Sequence, residues 1–176
     1  ALVAVSGALA KKMTDLGMPA ARIHVLRNGV DTDVFAPFPR IEARRRLRLH
    51  EDGALVIGVG NVVPEKDFEL LIRAVSRLPA ARLLIVGQGP LHGALRALAD
   101  SVAPGRVEWR DNMPQPELRY AYAAADVLGL SSLREGWPNV LLESIACGTP
   151  VVAAAVGGVP EIIGKGAPGI VVAPRT

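Results

Sequence analysis

Cysteine is almost absent from this chain, since Cys147 is the only one among 176 residues. One thiol cannot form an intramolecular disulfide, so a fold held together by disulfide bonds is excluded and a reducing compartment is expected. Cys147 follows an Ile-Ala pair in an apolar segment. We therefore expect a buried structural thiol rather than a nucleophile.

Histidines, aromatic residues and long apolar runs are also scarce. The three histidines lie far from one another and from the cysteine, so no metal site is predicted. Aromatic residues make up 4% of the chain and do not alternate with basic residues, which argues against nucleic-acid binding. The basic run Arg40–His50 is interpreted as the solvated face of a helix. No apolar run approaches the roughly 18 residues that a membrane-spanning helix needs.

Hydrophobic residues are abundant, at 50% of the chain, and the formal net charge is +3, so a packed core is expected. From Ala54 onward, short apolar runs rich in Val, Leu and Ile alternate with helical patterns. Strands are predicted at 54–60, 81–86, 106–110, 126–131, 149–156 and 169–173, and helices at 67–78, 91–100, 116–125 and 139–148. This alternation predicts an α/β fold with a doubly wound, mostly parallel sheet flanked by helices. Ligands bind such sheets at the carboxyl ends of the strands.

Two glutamates, Glu135 and Glu143, flank the start of one predicted helix. A glycine, a tryptophan and a proline lead into that helix, whose first N–H groups are expected to be free to bind a phosphate. The backbone groups expected to face a ligand are those of Gly136, Trp137, Asn139, Val140 and Leu141. A structural interpretation is equally open, because an acid near a helix start stabilises the helix dipole and a junction tryptophan often serves packing.

The segment Glu135–Ile163 resembles the E-x7-E region of retaining glycosyltransferases of the two-Rossmann (GT-B) type, known as family 4 or group 1. The resemblance covers nearly the whole chain. Ser6–Pro37 is similar to the interdomain linker of that family, and Gly58–Ala74 is similar to the first loop of its donor domain. The segments LLIVGQGP and ADVLGLSSLREG follow in the family's order.

The resemblance implies roles for individual residues. Glu143 is expected to bind the nucleotide ribose, and Glu135 to contact the transferred sugar close to the reacting centre. Lys66 is expected to neutralise the diphosphate leaving group, with a surface lysine beside Glu65 as the structural alternative. The backbone amides named above are expected to hold the phosphate and sugar. The base is expected near Arg110–Met113, with Met113 as a contact.

One position departs from the family pattern, because many members carry an Arg where this chain has Asn61. Asn61 is retained as a donor-binding residue, but its amide brings no charge, so Arg134 is the candidate for a second cation. Gly87 and Gly89 are expected to let their loop turn close to the donor. The Gly157–Gly158 pair is interpreted either as a plain turn or as a ligand contact.

In this family the N-terminal domain binds the acceptor and the C-terminal domain binds the donor. The resemblance therefore implies that residues 1–38 are the end of the N-terminal domain with the interdomain linker. Residues 39–176 are then a nucleotide-sugar-binding Rossmann-like domain, truncated before its closing helices. The implied reaction moves a hexosyl-type sugar from a nucleotide-diphosphate sugar with retention of anomeric configuration, without a metal ion or other cofactor. The isolated chain is expected to transfer little sugar.

The expected partners are a nucleotide sugar and an acceptor sugar or lipid that the missing domain holds, and nucleic acid is not among them. Contact with a membrane is expected only through that missing domain. The expected location is the cytoplasm, including the inner face of the membrane. Two alternatives stay open, a non-catalytic nucleotide or phospho-ligand module of the same fold and a nucleotide-sugar epimerase.

Overall fold

The structure is a computed structural model that describes residues 1–164 and 166–173, so the predicted domain end at residue 176 lies outside the described residues. The strands are β1 (Leu2–Ala4), β2 (Ile23–Val25), β3 (Ala54–Val59), β4 (Ala81–Val86), β5 (Val107–Arg110), β6 (Val127–Leu130), β7 (Val151–Ala154) and β8 (Gly169–Val172). The helices are α1 (Gly7–Asp15), α2 (Arg40–Arg46), α3 (Phe68–Ser76), α4 (His92–Val102), α5 (Gln115–Ala124), α6 (Asn139–Ala146) and α7 (Val159–Ile162). The short helix α7 was not predicted.

Six of these strands form one sheet in the order β5-β4-β3-β6-β7-β8, and every pair in it is parallel. Helices α3 and α4 connect the first three strands of this sheet, and α5 and α6 connect the next ones. Each helix covers a face of the sheet, because a parallel crossover must return the chain to the same edge. The doubly wound α/β fold predicted from the sequence is confirmed.

The strand order reverses between β3 and β6, which lie side by side at the centre of the sheet. Parallel sheets of this type bind ligands in the crevice at such a reversal point, outside the carboxyl ends of the strands. The loop 60–67 leaves the carboxyl end of β3, and the loop 131–138 leaves the carboxyl end of β6. The fold therefore brings together the two loops that carry Lys66 and Glu135.

The helix between β3 and β4 shows how sequence determines one of these connections. Asp67 adopts the left-handed conformation and caps α3 by accepting a hydrogen bond from the Leu70 N–H. Phe68, Ile72 and Val75 then recur at helical spacing and are buried against β4 and α4. The helix predicted at 67–78 is therefore present as α3, and its cap and apolar face fix where loop 60–67 ends.

Residues 2–28 form a separate unit, in which α1 connects the two strands of a small parallel sheet, β1 and β2. This unit contacts the larger body at Glu161 of α7. The Glu161 carboxylate accepts hydrogen bonds from the Gly7 and Ala8 N–H groups at the start of α1, and from Arg27 at 2.7 Å. The Arg27 hydrogen bond, followed by the two backbone donors, lowers the pKa of Glu161.

Residues 40–46 of the basic run form a helix, α2, but the predicted solvated character is wrong for Arg44, which is 2% exposed. The Arg44 guanidinium donates to the carbonyls of Ala124, Glu51 and Gly53 and to the Asp126 carboxylate, at 2.7–3.0 Å. These acceptors surround the amino ends of β3 and β6, where backbone carbonyls would otherwise lack partners. A guanidinium is buried there because its five N–H donors satisfy several acceptors at once.

Cys147 is buried at the C-terminal end of α6, and burial raises the pKa of its thiol to about 11. The thiol is therefore neutral near pH 7 and a poor nucleophile, in keeping with the predicted structural role. Among the helices of residues 1–164 and 166–173, none has the length and hydropathy required to cross a membrane.

Candidate functional site

Lys66 and Glu135 meet at the point where the strand order reverses. The Lys66 Nζ lies 2.6 Å from Glu135 Oε1, and the Ser132 hydroxyl donates to the same oxygen at 2.6 Å. The Ser131 hydroxyl donates to the Lys66 carbonyl at 2.8 Å and so ties the two loops together. Lys66 is only 24% exposed, and it pairs with Glu135 rather than Glu65. It is not the solvated surface lysine of the structural alternative.

Glu135 keeps unused hydrogen-bonding capacity in this arrangement. Its Oε1 accepts from Lys66 and Ser132, whereas its Oε2 has no partner among the described residues. The side chain is 10% exposed and borders a cavity of about 310 Å³ that also reaches Lys12 and Arg134. A carboxylate held on one oxygen and free on the other is suited to accept a hydrogen bond from a ligand hydroxyl.

Helix α6 begins at the same edge of the sheet with an open N-terminus. Pro138 stands at its N-cap position and offers no side-chain acceptor, and its first turn contains no acidic residue. Four backbone N–H groups here have no acceptor in the described part of the chain, namely those of Gly136, Trp137, Asn139 and Val140. Unpaired N–H groups and the positive end of the helix dipole make this terminus suitable for an anion.

The prediction that the Leu141 N–H is free is wrong. This group donates to the Pro138 carbonyl at 3.1 Å, because the first turn of α6 is tightened by an i to i−3 bond. By contrast, the N-terminus of α1 is closed, since the Ser6 hydroxyl takes the Leu9 N–H and Glu161 takes the two N–H groups before it. Of these two helix starts, only that of α6 offers donors to a ligand.

Glu143 lies one turn inside α6 and is half-buried. The Tyr122 hydroxyl, on α5, donates to Glu143 Oε2 at 2.6 Å. Burial raises the pKa of Glu143, and the Tyr122 hydrogen bond opposes that effect. Burial, followed by the charge of Glu143, raises the pKa of Tyr122 well above its ordinary value. A structural role limited to the helix dipole does not account for this long-range pair.

Trp137 and Asn139 connect the site to the N-terminal unit. The Trp137 Nε1–H donates to the Asn28 carbonyl at 3.0 Å, and the Arg27 guanidinium lies 5.7 Å from the centre of the indole ring. The Asn28 side chain also donates to the Asn139 Oδ1 at 3.3 Å. The Trp137 side chain therefore serves packing, as the structural interpretation held, while its backbone N–H stays available.

The Gly157–Gly158 pair packs directly against the glutamate loop. A Cβ at Gly157 would lie 1.7 Å from the Glu135 carbonyl oxygen, and one at Gly158 would lie 2.7 Å from Trp137 Cε3. The Gly158 N–H also donates to the Gly136 carbonyl at 3.0 Å. These glycines support the site from behind, which matches neither the plain turn nor the ligand contact considered from the sequence.

Gly87 and Gly89 have a similar packing role, and the approach of their loop to a donor stays a prediction. A Cβ at Gly87 would lie 1.9 Å from the Gly60 carbonyl oxygen, and one at Gly89 would lie 2.4 Å from the Val62 carbonyl oxygen. Both glycines therefore allow the loops after β3 and β4 to pack backbone against backbone. This packing shapes loop 60–67, which carries Lys66.

Three predicted residues are not drawn into contact with the Lys66–Glu135 pair. The exposed Asn61 side chain makes no hydrogen bond within the described chain. Arg134 is 80% exposed, with its guanidinium 3.8 Å from Glu65. Met113 is half-buried against the core beyond β5, two strands away from β3.

Sequence reasoning missed the Tyr122 and Ser132 hydroxyls. For Ser132, its position just after a parallel strand was the available signal.

The site brings together hydrogen-bond donors and acceptors from three elements, and the predicted absence of a metal ion stays a prediction. No group of three or more His, Cys, Asp or Glu residues suited to a metal ion occurs in the described ranges 1–164 and 166–173. A cation, an open helix terminus and two carboxylates with free oxygens can together bind a ligand that combines phosphate with hydroxyl groups. A larger apolar groove of about 500 Å³ lies between α3 and the face of β6 and β7, and it offers few polar groups.

Comparison with known proteins gives a family for this arrangement. Residues 39–176 match the family described as "Glycosyl transferases group 1". The D-inositol 3-phosphate glycosyltransferase of Mycobacteroides abscessus is 40% identical over 158 residues, which cover 86% of this chain and 36% of that protein. Its counterpart from Mycolicibacterium smegmatis is also 40% identical, over 159 residues. The chain thus spans little more than a third of the length of these curated relatives.

Solved structures agree on the fold. The sucrose-phosphate synthase of Thermosynechococcus elongatus superposes with a TM-score of 0.89 at 27% identity, covering 99% of this chain and 45% of that one. The Anabaena protein HepE, solved in complex with UDP-glucose, superposes with a TM-score of 0.88 at 24% identity. The superposition covers 98% of this chain and 49% of HepE. At that identity the likeness to HepE concerns the fold alone.

Proposed function

The chain belongs to the group 1 glycosyl transferases, and we propose that it binds the nucleotide-diphosphate sugar from which a hexosyl-type group is transferred. The observation that carries this proposal is the Lys66–Glu135 contact of 2.6 Å at the strand-order reversal, beside the open start of α6. A nucleotide sugar supplies the two features that these groups recognise, a diphosphate and several hydroxyls.

The diphosphate is assigned to the start of α6 and to Lys66. The N–H groups of Asn139 and Val140 point out of an uncapped helix, and a phosphate there would replace water as their acceptor. As the bond from sugar to phosphate breaks, negative charge grows on the leaving diphosphate. Lys66 is already positioned to stabilise that charge, with its stem packed over Gly60 and its ammonium at the reversal point.

The two glutamates are assigned to hydroxyls of the donor. Glu143 is assigned to the ribose and Glu135 to the transferred sugar, because Glu143 Oε1 and Glu135 Oε2 have no partner in the described part of the chain. The Glu135 assignment is supported by the cavity of about 310 Å³ on which this side chain borders. The family resemblance supports retention of anomeric configuration. It also supports an acceptor sugar or lipid held by residues outside this chain.

The isolated chain is expected to bind the donor while transferring little sugar, because transfer requires donor and acceptor to be held together. No metal ion is needed in this proposal, since Lys66 and the α6 terminus supply positive charge at the diphosphate. A thermal-shift screen with UDP-, GDP- and ADP-sugars tests donor binding. At least one donor is expected to raise the melting temperature.

Glu143→Gln is the informative variant in this screen, and Glu117→Gln, an exposed glutamate in the first turn of α5, is the matched control. The stabilising donor should lose most of its effect on the first variant and keep it on the second. If no nucleotide sugar changes the melting temperature of the wild-type chain, the donor-binding proposal fails. A non-catalytic phospho-ligand module would then be favoured over a transferase domain.

A further inference from the structure

Tyr122 is one of two tyrosines in the chain and is fully buried in α5. A buried tyrosine hydroxyl requires a hydrogen-bond partner, and this one donates to Glu143 Oε2 at 2.6 Å. We propose that Tyr122 is a positioning residue that fixes the Glu143 carboxylate for the ribose hydroxyls of the nucleotide. This inference rests on the proposed function and extends it to a residue that does not touch the ligand.

The tyrosine is itself held in place at both ends. Its ring packs edge-on against Phe35, with ring centroids 6.0 Å apart at 62°. Its carbonyl accepts a hydrogen bond from the Thr149 hydroxyl at 2.8 Å. Thr149 in turn donates its N–H to the Ser144 carbonyl at 2.9 Å, which joins the end of α6 to α5. The hydroxyl of Tyr122 therefore has a fixed position relative to α6.

This anchoring has a direct effect on Glu143. A glutamate side chain on a helix surface normally samples several rotamers, and a ligand must select one of them at an entropic cost. With Oε2 fixed by Tyr122, the carboxylate is already ordered, and Oε1 has no partner within the described residues. Ribose hydroxyls thus find an acceptor of defined orientation, which favours affinity through preorganisation.

The same hydrogen bond favours the ionised form of Glu143, against the effect of burial on its pKa. Among the described residues, Glu143 also interacts with Cys147 at the C-cap of α6, whose thiol is neutral because burial raises its pKa. Removing the Tyr122 hydroxyl should therefore leave a carboxylate that is both less ordered and protonated at a higher pH. Both changes weaken an acceptor of ribose hydroxyls.

Tyr122→Phe removes only the hydroxyl, and Tyr120→Phe is the matched control. Tyr120 is also buried in α5, but its hydroxyl accepts from Arg119 at 2.6 Å and does not reach Glu143. Calorimetric titration should use whichever of UDP, GDP and ADP binds the wild-type chain best, together with its 2′,3′-dideoxyribose analogue. The analogue keeps the base and diphosphate and lacks the hydroxyls that Glu143 would bind.

Tyr122→Phe is expected to weaken the binding of the ribonucleotide about tenfold, because a hydrogen bond to a charged group is disturbed. The affinity for the dideoxy analogue should not change. Tyr120→Phe should change neither affinity. An unchanged affinity for the ribonucleotide would overturn the proposal, and so would an equal loss for both ligands, which a merely structural role predicts. If the wild type binds none of the three nucleotides, the proposed function itself fails. That outcome differs from the two results that would overturn only the role of Tyr122.

A second measurement covers the case in which Tyr122→Phe does not fold. The Tyr120→Phe variant leaves Tyr122 as the single tyrosine, so labelling with 3-fluorotyrosine gives one fluorine resonance. We expect this resonance to shift when the ribonucleotide binds and to stay in place when the dideoxy analogue binds. Equal shifts with both ligands, or no shift with either bound ligand, would contradict a link between Tyr122 and the ribose.

Discussion

The six-stranded sheet carries a polar cluster at each of its two edges, and the two differ in how completely their groups are paired. At the amino edge, Arg44 donates to three carbonyls and to Asp126. Asp126 also accepts from the Leu55 N–H at 2.8 Å and from Arg40. At the carboxyl edge, Glu135 and Glu143 each have one oxygen with a partner and one with none among residues 1–164 and 166–173.

This difference separates a structural cluster from a binding site. Buried polar groups are stable when their hydrogen bonds are satisfied, so a saturated cluster such as that of Arg44 needs no ligand. A cluster with donors and acceptors left over, next to an open helix start, is stabilised further only when a ligand supplies the partners. Substitutions at the amino edge should therefore reduce stability, and substitutions at the carboxyl edge should chiefly reduce binding.

The largest effect is expected for Arg44→Met, which keeps much of the side-chain volume and removes the charge. The substitution leaves three carbonyls without their Arg44 donors, at about 1–3 kcal/mol of unfolding free energy for each acceptor left unsatisfied. Asp126 keeps Arg40 as a partner. Urea denaturation measures this loss. Arg45→Met is the control, because Arg45 is exposed and pairs with Glu51 at the surface. The urea midpoint of this variant should hardly differ from that of the wild type. Equal effects of the two substitutions would contradict the structural role of Arg44.

Lys66→Met should mainly affect nucleotide affinity. A hydrogen bond to a charged group contributes about 1.5–3 kcal/mol, so we expect UDP or GDP to bind roughly 10- to 100-fold more weakly by calorimetry. The thermal midpoint should fall by less than in Arg44→Met, because the Lys66 ammonium has one acceptor, Glu135, whereas the Arg44 guanidinium has four. Lys11→Met, at an exposed lysine paired with Asp15, serves as the control. A large loss of stability with normal affinity would reverse the assignment of the two edges.

Glu143→Gln tests the difference between the two polar clusters through the pH dependence of stability. Because burial raises the pKa of Glu143, its contribution to stability is fully present below the pKa in the unfolded chain. That contribution is lost as pH rises through the higher pKa of the folded protein. The wild type should therefore lose stability relative to Glu143→Gln between about pH 4 and neutral pH. Nucleotide affinity of the variant should fall about tenfold, as for a lost charged hydrogen bond.

Glu161→Gln provides a control of opposite sign. The pKa of Glu161 is lowered, chiefly by Arg27, so its contribution to stability is present above the unfolded pKa and lost as pH falls. Relative to this variant the wild type should gain stability with rising pH. Thermal melts of the wild type, Glu143→Gln and Glu161→Gln across this pH range measure both trends. Trends of the same sign would contradict the opposite pKa shifts of Glu143 and Glu161.

The smallest expected effect concerns metal removal. Free carboxylate oxygens can bind a cation as well as a hydroxyl, so a divalent ion is the alternative ligand at the carboxyl edge. In our account Lys66 and the start of α6 already neutralise the diphosphate. Adding EDTA should leave the nucleotide affinity measured by calorimetry unchanged. A loss of binding that Mg²⁺ or Mn²⁺ restores would show that the site includes a metal.

Much of the fold was predictable because its elements leave local patterns. Apolar runs and helical spacing predicted every strand of the six-stranded sheet. Because ligands bind parallel sheets at the carboxyl ends of the strands, the loops that carry Lys66 and Glu135 could be predicted as part of the site. The Tyr122–Glu143 hydrogen bond was not predictable, since it joins two helices whose relative placement no local pattern specifies. The burial of Arg44 was not predicted for the same reason, because its acceptors come from two segments, 51–53 and 124–126, that only the folded chain brings together.

The most direct test of the account is a crystal structure of the chain with UDP, or with GDP or ADP if one of these binds better. We predict the diphosphate at the Asn139 and Val140 N–H groups and a ribose hydroxyl within hydrogen-bond distance of Glu143. Lys66 should lie beside the terminal phosphate. A nucleotide found in the apolar groove beside α3, or near Arg44 at the amino edge, would contradict the central claim.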